Sequence, residues 1–178
     1  MPTTLRPFSL SLALLCGLWG QGACADWRSE VPGAAQVGQG QFTWFGFVVY
    51  EAHLWSATAA PDWTHAFALE LVYRRQLSRD TLVQASLDEM RRLGNEDDTL
   101  LGRWAGEMRQ SFVDVQPGQR ITGVYLPGEG CRFYVDGKLH HNVADARFAR
   151  AFFSIWLDPR TRSPDLRRDL LGLNGDEP

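Results

Sequence analysis

The chain has 178 residues, of which 44% are hydrophobic and 22% charged, and a formal net charge of −3. Those values suit one globular domain and exclude a disordered tail, a collagen-like repeat and a polytopic membrane protein. With 18 cations against 21 acids, and Lys138 the sole lysine, the chain lacks the basic footprint of a nucleic-acid binder.

The first 25 residues read as an address. Arg6 precedes an uncharged, mostly apolar stretch over residues 9–20, and Ala23 and Ala25 supply the small residues of a cleavage site before Asp26. This is the tripartite pattern of a secretory signal peptide. Twelve helical residues rise about 18 Å against a bilayer core of about 30 Å, so no transmembrane anchor is expected after cleavage. The expected location is periplasmic or secreted. Cleavage removes Cys16 and Cys24 and leaves Cys131 alone, so stability is expected to come from the core rather than from a disulfide.

Residues 26–40, rich in Gly, Ala and Gln, predict an irregular lead-in to a single domain over 41–178. The run QFTWFGFVVYEAHLW over 41–55 is dense in β-branched and aromatic residues and predicts one long strand. The segment 59–62 marks a turn. Residues 66–75 predict a second strand, with Phe67, Leu69, Leu71 and Tyr73 on one face and Arg75 at its end. Helical spacing then takes over. Leu82, Val83, Ser86, Leu87, Met90 and Leu93 form a stripe behind a Ser78 cap, with Gly94 as the stop. Leu101, Trp104, Ala105, Met108 and Phe112 form a second stripe.

Strands are predicted over 120–126, 131–135 and 138–142, the last two joined by an Asp136-Gly137 turn. A helix over 145–157 turns Phe148, Ala149, Phe152, Phe153 and Trp156 inward, and a last helix runs from Ser163-Pro164 to Gly172. Blocks of strands and blocks of helices predict an α+β fold, a large antiparallel β-sheet layered with helices.

No nucleophile-elbow, zinc-protease, phosphate-loop or dinucleotide motif is present, and neither a cofactor nor a metal is expected. His140 and His141 are adjacent on a strand and point to opposite faces, which suits a polar hairpin edge better than one metal ion. Glu51 and His53 share a face and are read as a solvated strand end. Arg75, ending the apolar face that holds Tyr73, is the most suggestive residue. A guanidinium beside a phenol at the mouth of a greasy pocket is suited to holding a carboxylate.

The segment Phe42-Thr43-Trp44-Phe45-Gly46-Phe47-Val48-Val49-Tyr50, the passage over 71–90, residues 120–128 and the stretch 148–171 together resemble the chalcone isomerase superfamily. The resemblance is closest to its bacterial, exported chalcone isomerase-like branch and covers about residues 40–172. It implies an open-faced sandwich with a ligand cleft between helices and sheet. Of the catalytic set of the plant isomerases, only Thr43 matches. Val31 stands near the place of the Arg, and Ser78 and Ala85 stand where a Tyr and an Asn are expected. Non-catalytic plant relatives bind fatty acids through an Arg and a Tyr. The resemblance therefore implies an exported, non-catalytic protein holding a small apolar or amphiphilic, fatty-acid-like ligand, with Thr43, Tyr73 and Arg75 as ligand-binding residues. The alternatives are a partner-binding or structural envelope protein, and a cofactor-free isomerase of a small phenol.

Overall fold

The computed structural model describes residues 26–59, 61–94 and 97–173. The expected signal peptide, with Cys16 and Cys24, lies outside them. Six strands form one antiparallel sheet: β1 (Ala35–Trp44), β2 (Phe47–Ser56), β3 (Phe67–Tyr73), β4 (Arg120–Leu126), β5 (Gly130–Val135) and β6 (Lys138–Val143). Their spatial order is their chain order. Between β3 and β4 stand helices α1 (Arg79–Gly94) and α2 (Asp98–Ser111), and after β6 come α3 (Ala146–Leu157) and α4 (Pro164–Leu170). The α+β reading, an antiparallel sheet layered with helices, holds.

Two expectations are corrected. The run 41–55 is not one strand but the inner part of a β1–β2 hairpin, and residues 35–40 of the expected lead-in are strand. The turn is Phe45-Gly46, with φ of +47° and +78°, the same left-handed pair that Asp136-Gly137 adopts at +47° and +81°. Tight hairpins require that backbone because it matches the strand twist, and Asp-Gly or Asn-Gly is its usual signature. Phe-Gly offers only the glycine, and its aromatic first residue disguises the turn as strand. The remaining lead-in forms a 3₁₀ helix, Trp27–Glu30.

The helical layer covers one face of the sheet. Alternation places Ala52 and Leu54 of β2, Phe67, Leu69, Leu71 and Tyr73 of β3, and Cys131 and Phe133 of β5 against Trp104, Met108, Phe148, Phe152 and Phe153 of the helices. The helix stripes read from the sequence are the buried ones, apart from Leu82 and Ser86, which are partly exposed. Helix α3 is fixed at its start by Asp145, whose carboxylate accepts from the Arg147 and Phe148 N–H groups and from the Trp104 indole at 3.0 Å. Helix α4 lies close on β1 because Gly38 and Gly40 face it. A methyl group at Gly38 would meet the Asp169 and Leu170 carbonyls, and one at Gly40 the side chains of Leu166 and Asp169.

The other face carries a smaller cluster of Trp27, Val31, Ala68, Val124 and Tyr134. The 3₁₀ helix is tied down there by Glu30, which pairs with Arg132 and accepts from the Tyr134 hydroxyl at 3.2 Å. Burial and the Glu30 charge push that phenol up to about 12.

Candidate functional site

Register determines which side chains meet where the sheet approaches α3. Tyr50 of β2 is directly opposite Tyr73 of β3, and both point to the helical face. Their rings meet edge to face at 5.9 Å between centroids. Trp156, in the last turn of α3, donates its indole N–H to the Tyr50 hydroxyl at 3.0 Å. Tyr73 is 4% exposed as a residue, and its hydroxyl makes no hydrogen bond to a described residue. Burial raises both phenols above their ordinary range. At Tyr50 the Trp156 N–H pulls the other way, and the charge of Glu89 adds to the rise. Both stay protonated at neutral pH, so this is a pair of neutral O–H donors and not a source of phenolate.

Glu89 was not singled out in the sequence. It is a carboxylate on the buried side of α1, 7% exposed, held by Arg92 and by Arg162 Nε at 3.0 Å. Arg92 also donates to the Arg160 carbonyl at 2.7 Å, so the cluster clamps α1 to the loop that follows α3. Each arginine is committed to the carboxylate, which leaves the tyrosine pair facing a satisfied ion cluster rather than a waiting cation.

The three residues named from the sequence do not share one pocket. Tyr73 is buried, as above. Thr43 is exposed: Phe42 and Trp44 on either side of it stack together at 6.5 Å, so alternation turns Thr43 to the opposite face. Arg75 is exposed beyond the end of β3 and lies over the Phe47 ring at 4.3 Å, close to the hairpin turn. Arg74, on the other side, pairs with Glu51 at 2.6 Å.

The positions aligned with a catalytic set carry no such chemistry here. Val31 is buried on the face away from the helices, Ala85 is exposed, and Ser78 accepts from the Thr81 N–H at the start of α1. Glu51 is occupied by Arg74 and by Gln41, so it is not set up as a partner for His53. His141 bonds Glu107 at 2.9 Å, and no metal-holding cluster occurs among the described residues. Cys131 is buried on β5, and burial raises its thiol well above the usual range, which suits a packed residue rather than a nucleophile.

Tyr50 is the site residue that sequence reasoning missed. The alternation Tyr50, Ala52, Leu54 puts it on the core side, but only the β2–β3 register brings it opposite Tyr73. Two open hollows lie elsewhere, of about 330 Å³ between α1 and α3 and about 310 Å³ beside the 3₁₀ helix.

Comparison with known proteins agrees with this architecture. A fatty-acid binding protein of Arabidopsis thaliana superposes with a TM-score of 0.60 over 79% of this chain and 87% of that one, at 13% identity, which speaks for the shared fold. A protein of Haemophilus influenzae, described as uncharacterized, is 30% identical over 138 residues, 76% of this chain and 67% of that protein. The family model described as chalcone isomerase-like matches residues 38–172, from the first glycine under α4 to the glycine that follows it. On that match, the chain belongs to the chalcone isomerase-like family.

Proposed function

We propose that this protein is exported and binds, without turning it over, a fatty acid or similar apolar molecule with one oxygen-bearing head. The head would be held by the Tyr50 and Tyr73 hydroxyls at the edge of the helix–sheet interface. The observation that carries the reading is Tyr73, a residue only 4% exposed whose hydroxyl makes no hydrogen bond to a described residue. A hydroxyl with no acceptor in the fold gains about 0.5–1.5 kcal/mol from an acceptor on a ligand. The apolar surroundings suit an aliphatic or aromatic tail, and the fold is that of a protein whose name states fatty-acid binding. A binding rather than catalytic role is supported by the state of the reactive groups. Both phenols are held neutral and the one described thiol is packed in the core.

The test is to purify the protein under native conditions, extract it and identify co-purifying small molecules by mass spectrometry. A stoichiometric amphiphile supports the proposal and defines its class. A protein that is empty, and that also fails to bind a fluorescent fatty acid, overturns it.

A further inference from the structure

The β1–β2 hairpin ends in an apolar tip that the fold leaves uncovered. Trp44, Phe45 and Phe47 are 60%, 85% and 57% exposed, and Phe45 projects from the apex of the turn in a left-handed conformation. Water is a poor environment for three such rings, and the φ of +47° is a strained conformation for a residue with a Cβ. Residues 31–50 contain no charged side chain at all. The hairpin's carboxylate, Glu51, is neutralised by Arg74, while the exposed Arg75 sits over the Phe47 ring. The tip is therefore aromatic and convex, with a cation beside it. A convex apex needs either a matching pocket or a fluid apolar phase. Tryptophan and phenylalanine beside an arginine are the residues that settle at the boundary between acyl chains and phosphate headgroups.

An aromatic path connects this tip to the tyrosine pair. Phe45 contacts Trp44 at 5.0 Å, Trp44 stacks on Phe42, Phe42 stacks on Tyr50 at 5.1 Å, and Tyr50 meets Tyr73.

We infer that the β1–β2 turn docks this protein on a lipid surface, with Trp44, Phe45 and Phe47 entering the headgroup–acyl boundary and Arg75 meeting the phosphates of anionic lipid. The inference is independent of whether the tyrosine pair holds a ligand, because docking is read without one.

The experiment is flotation of the purified protein with two kinds of vesicle, phosphatidylcholine alone and phosphatidylcholine containing a quarter phosphatidylglycerol. The protein is expected to float with both, and more strongly with the anionic vesicles. The double variant Phe45→Ser/Phe47→Ser should lose about a hundredfold in binding to both, since each buried ring is worth about tenfold. Arg75→Gln should lose about fivefold on anionic vesicles and almost nothing on neutral ones. Leu139→Ser, a change to an exposed leucine on β6, serves as the control and should leave binding unchanged. All four proteins are compared only after their circular dichroism and unfolding midpoints show them folded, and quenching of Trp44 by brominated lipid, absent in Trp44→Phe, gives a second readout. Failure of the unaltered protein to float, or flotation that survives the double substitution, overturns the inference. So does a dimer that the double substitution dissociates without any vesicle binding, which would assign the tip to a second copy.

Discussion

Single side chains decide two questions in this protein, what the tyrosine pair can hold and what holds α3. Tyr73→Phe removes one hydroxyl that has no partner in the fold, so stability should stay level or rise slightly. Affinity for a fatty acid and for its methyl ester should both fall about fivefold to tenfold, the worth of one hydrogen bond. Parallel titrations with a fluorescent fatty acid and an ester competitor check this. Arg75→Ala is expected to leave both affinities within about twofold, because its guanidinium lies on Phe47. Asp145 acts on stability instead. Burial alone would raise its carboxyl, but the Phe148 N–H, the Trp104 indole and the Arg147 N–H outweigh it and hold the value below the usual range. A carboxyl depressed in the folded state stabilises above its unfolded value, near 3.9, and that contribution disappears as pH falls through the folded value. Asp145→Asn should therefore cost about 1 kcal/mol in urea unfolding at pH 7, and the gap to the unaltered protein should close as the pH falls below about 4.

At the scale of elements, close approach and turn geometry make opposite demands on the first hairpin. Gly38 lets α4 lie on β1, and a Cβ there would run into helix backbone, which cannot swing aside as a side chain can. Gly38→Ala is expected to lower stability by about 1–3 kcal/mol, measured by chemical unfolding. At the turn the change goes the other way. Phe45 sits in a left-handed conformation and buries almost nothing, so Phe45→Asn should raise stability by about 0.5–1 kcal/mol.

This hairpin also marks the limit of what the sequence revealed. The helices were legible because their apolar residues recur at helical spacing, and β5–β6 because Asp136-Gly137 is a turn signal in its own right. Phe45-Gly46 carries half of that signal inside an aromatic run, so two strands read as one. The site was hidden for another reason, because Tyr50 opposes Tyr73 through the β2–β3 register, which no two-residue turn announces. Thr43 follows from the family's catalytic pattern and Arg75 from its place at a strand end, and neither says how the register shift between Phe42 and Thr43 or the end of β3 turns a side chain. Glu89 was hidden in a helix whose other carboxylates are solvated.

The whole molecule is a sheet with unequal faces. The helical face holds most of the core, while the other is closed by Trp27, packed on Trp55 at 5.7 Å with Arg28 over both rings. That segment precedes the region matched by the family model, yet Trp27 is among the most deeply buried side chains. Trp27→Ala is expected to cost about 3–5 kcal/mol, read as a drop in the unfolding midpoint, and removal of residues 26–33 should cost at least as much. If the leading residues merely trailed the domain, both changes would be silent.

The sequential strand order has a kinetic consequence. Each strand pairs with a neighbour in the chain, even across the two-helix excursion between β3 and β4, so the sheet can zip up in the order of synthesis. Pairing between close neighbours in the chain closes short loops and is fast. The exception is α4, which comes from the far end of the chain and lies on β1, the first strand made. Until that last helix arrives, the face of β1 that carries Gly38 and Gly40 stays bare to water, and a nascent chain would pass through this exposed state every time it folds.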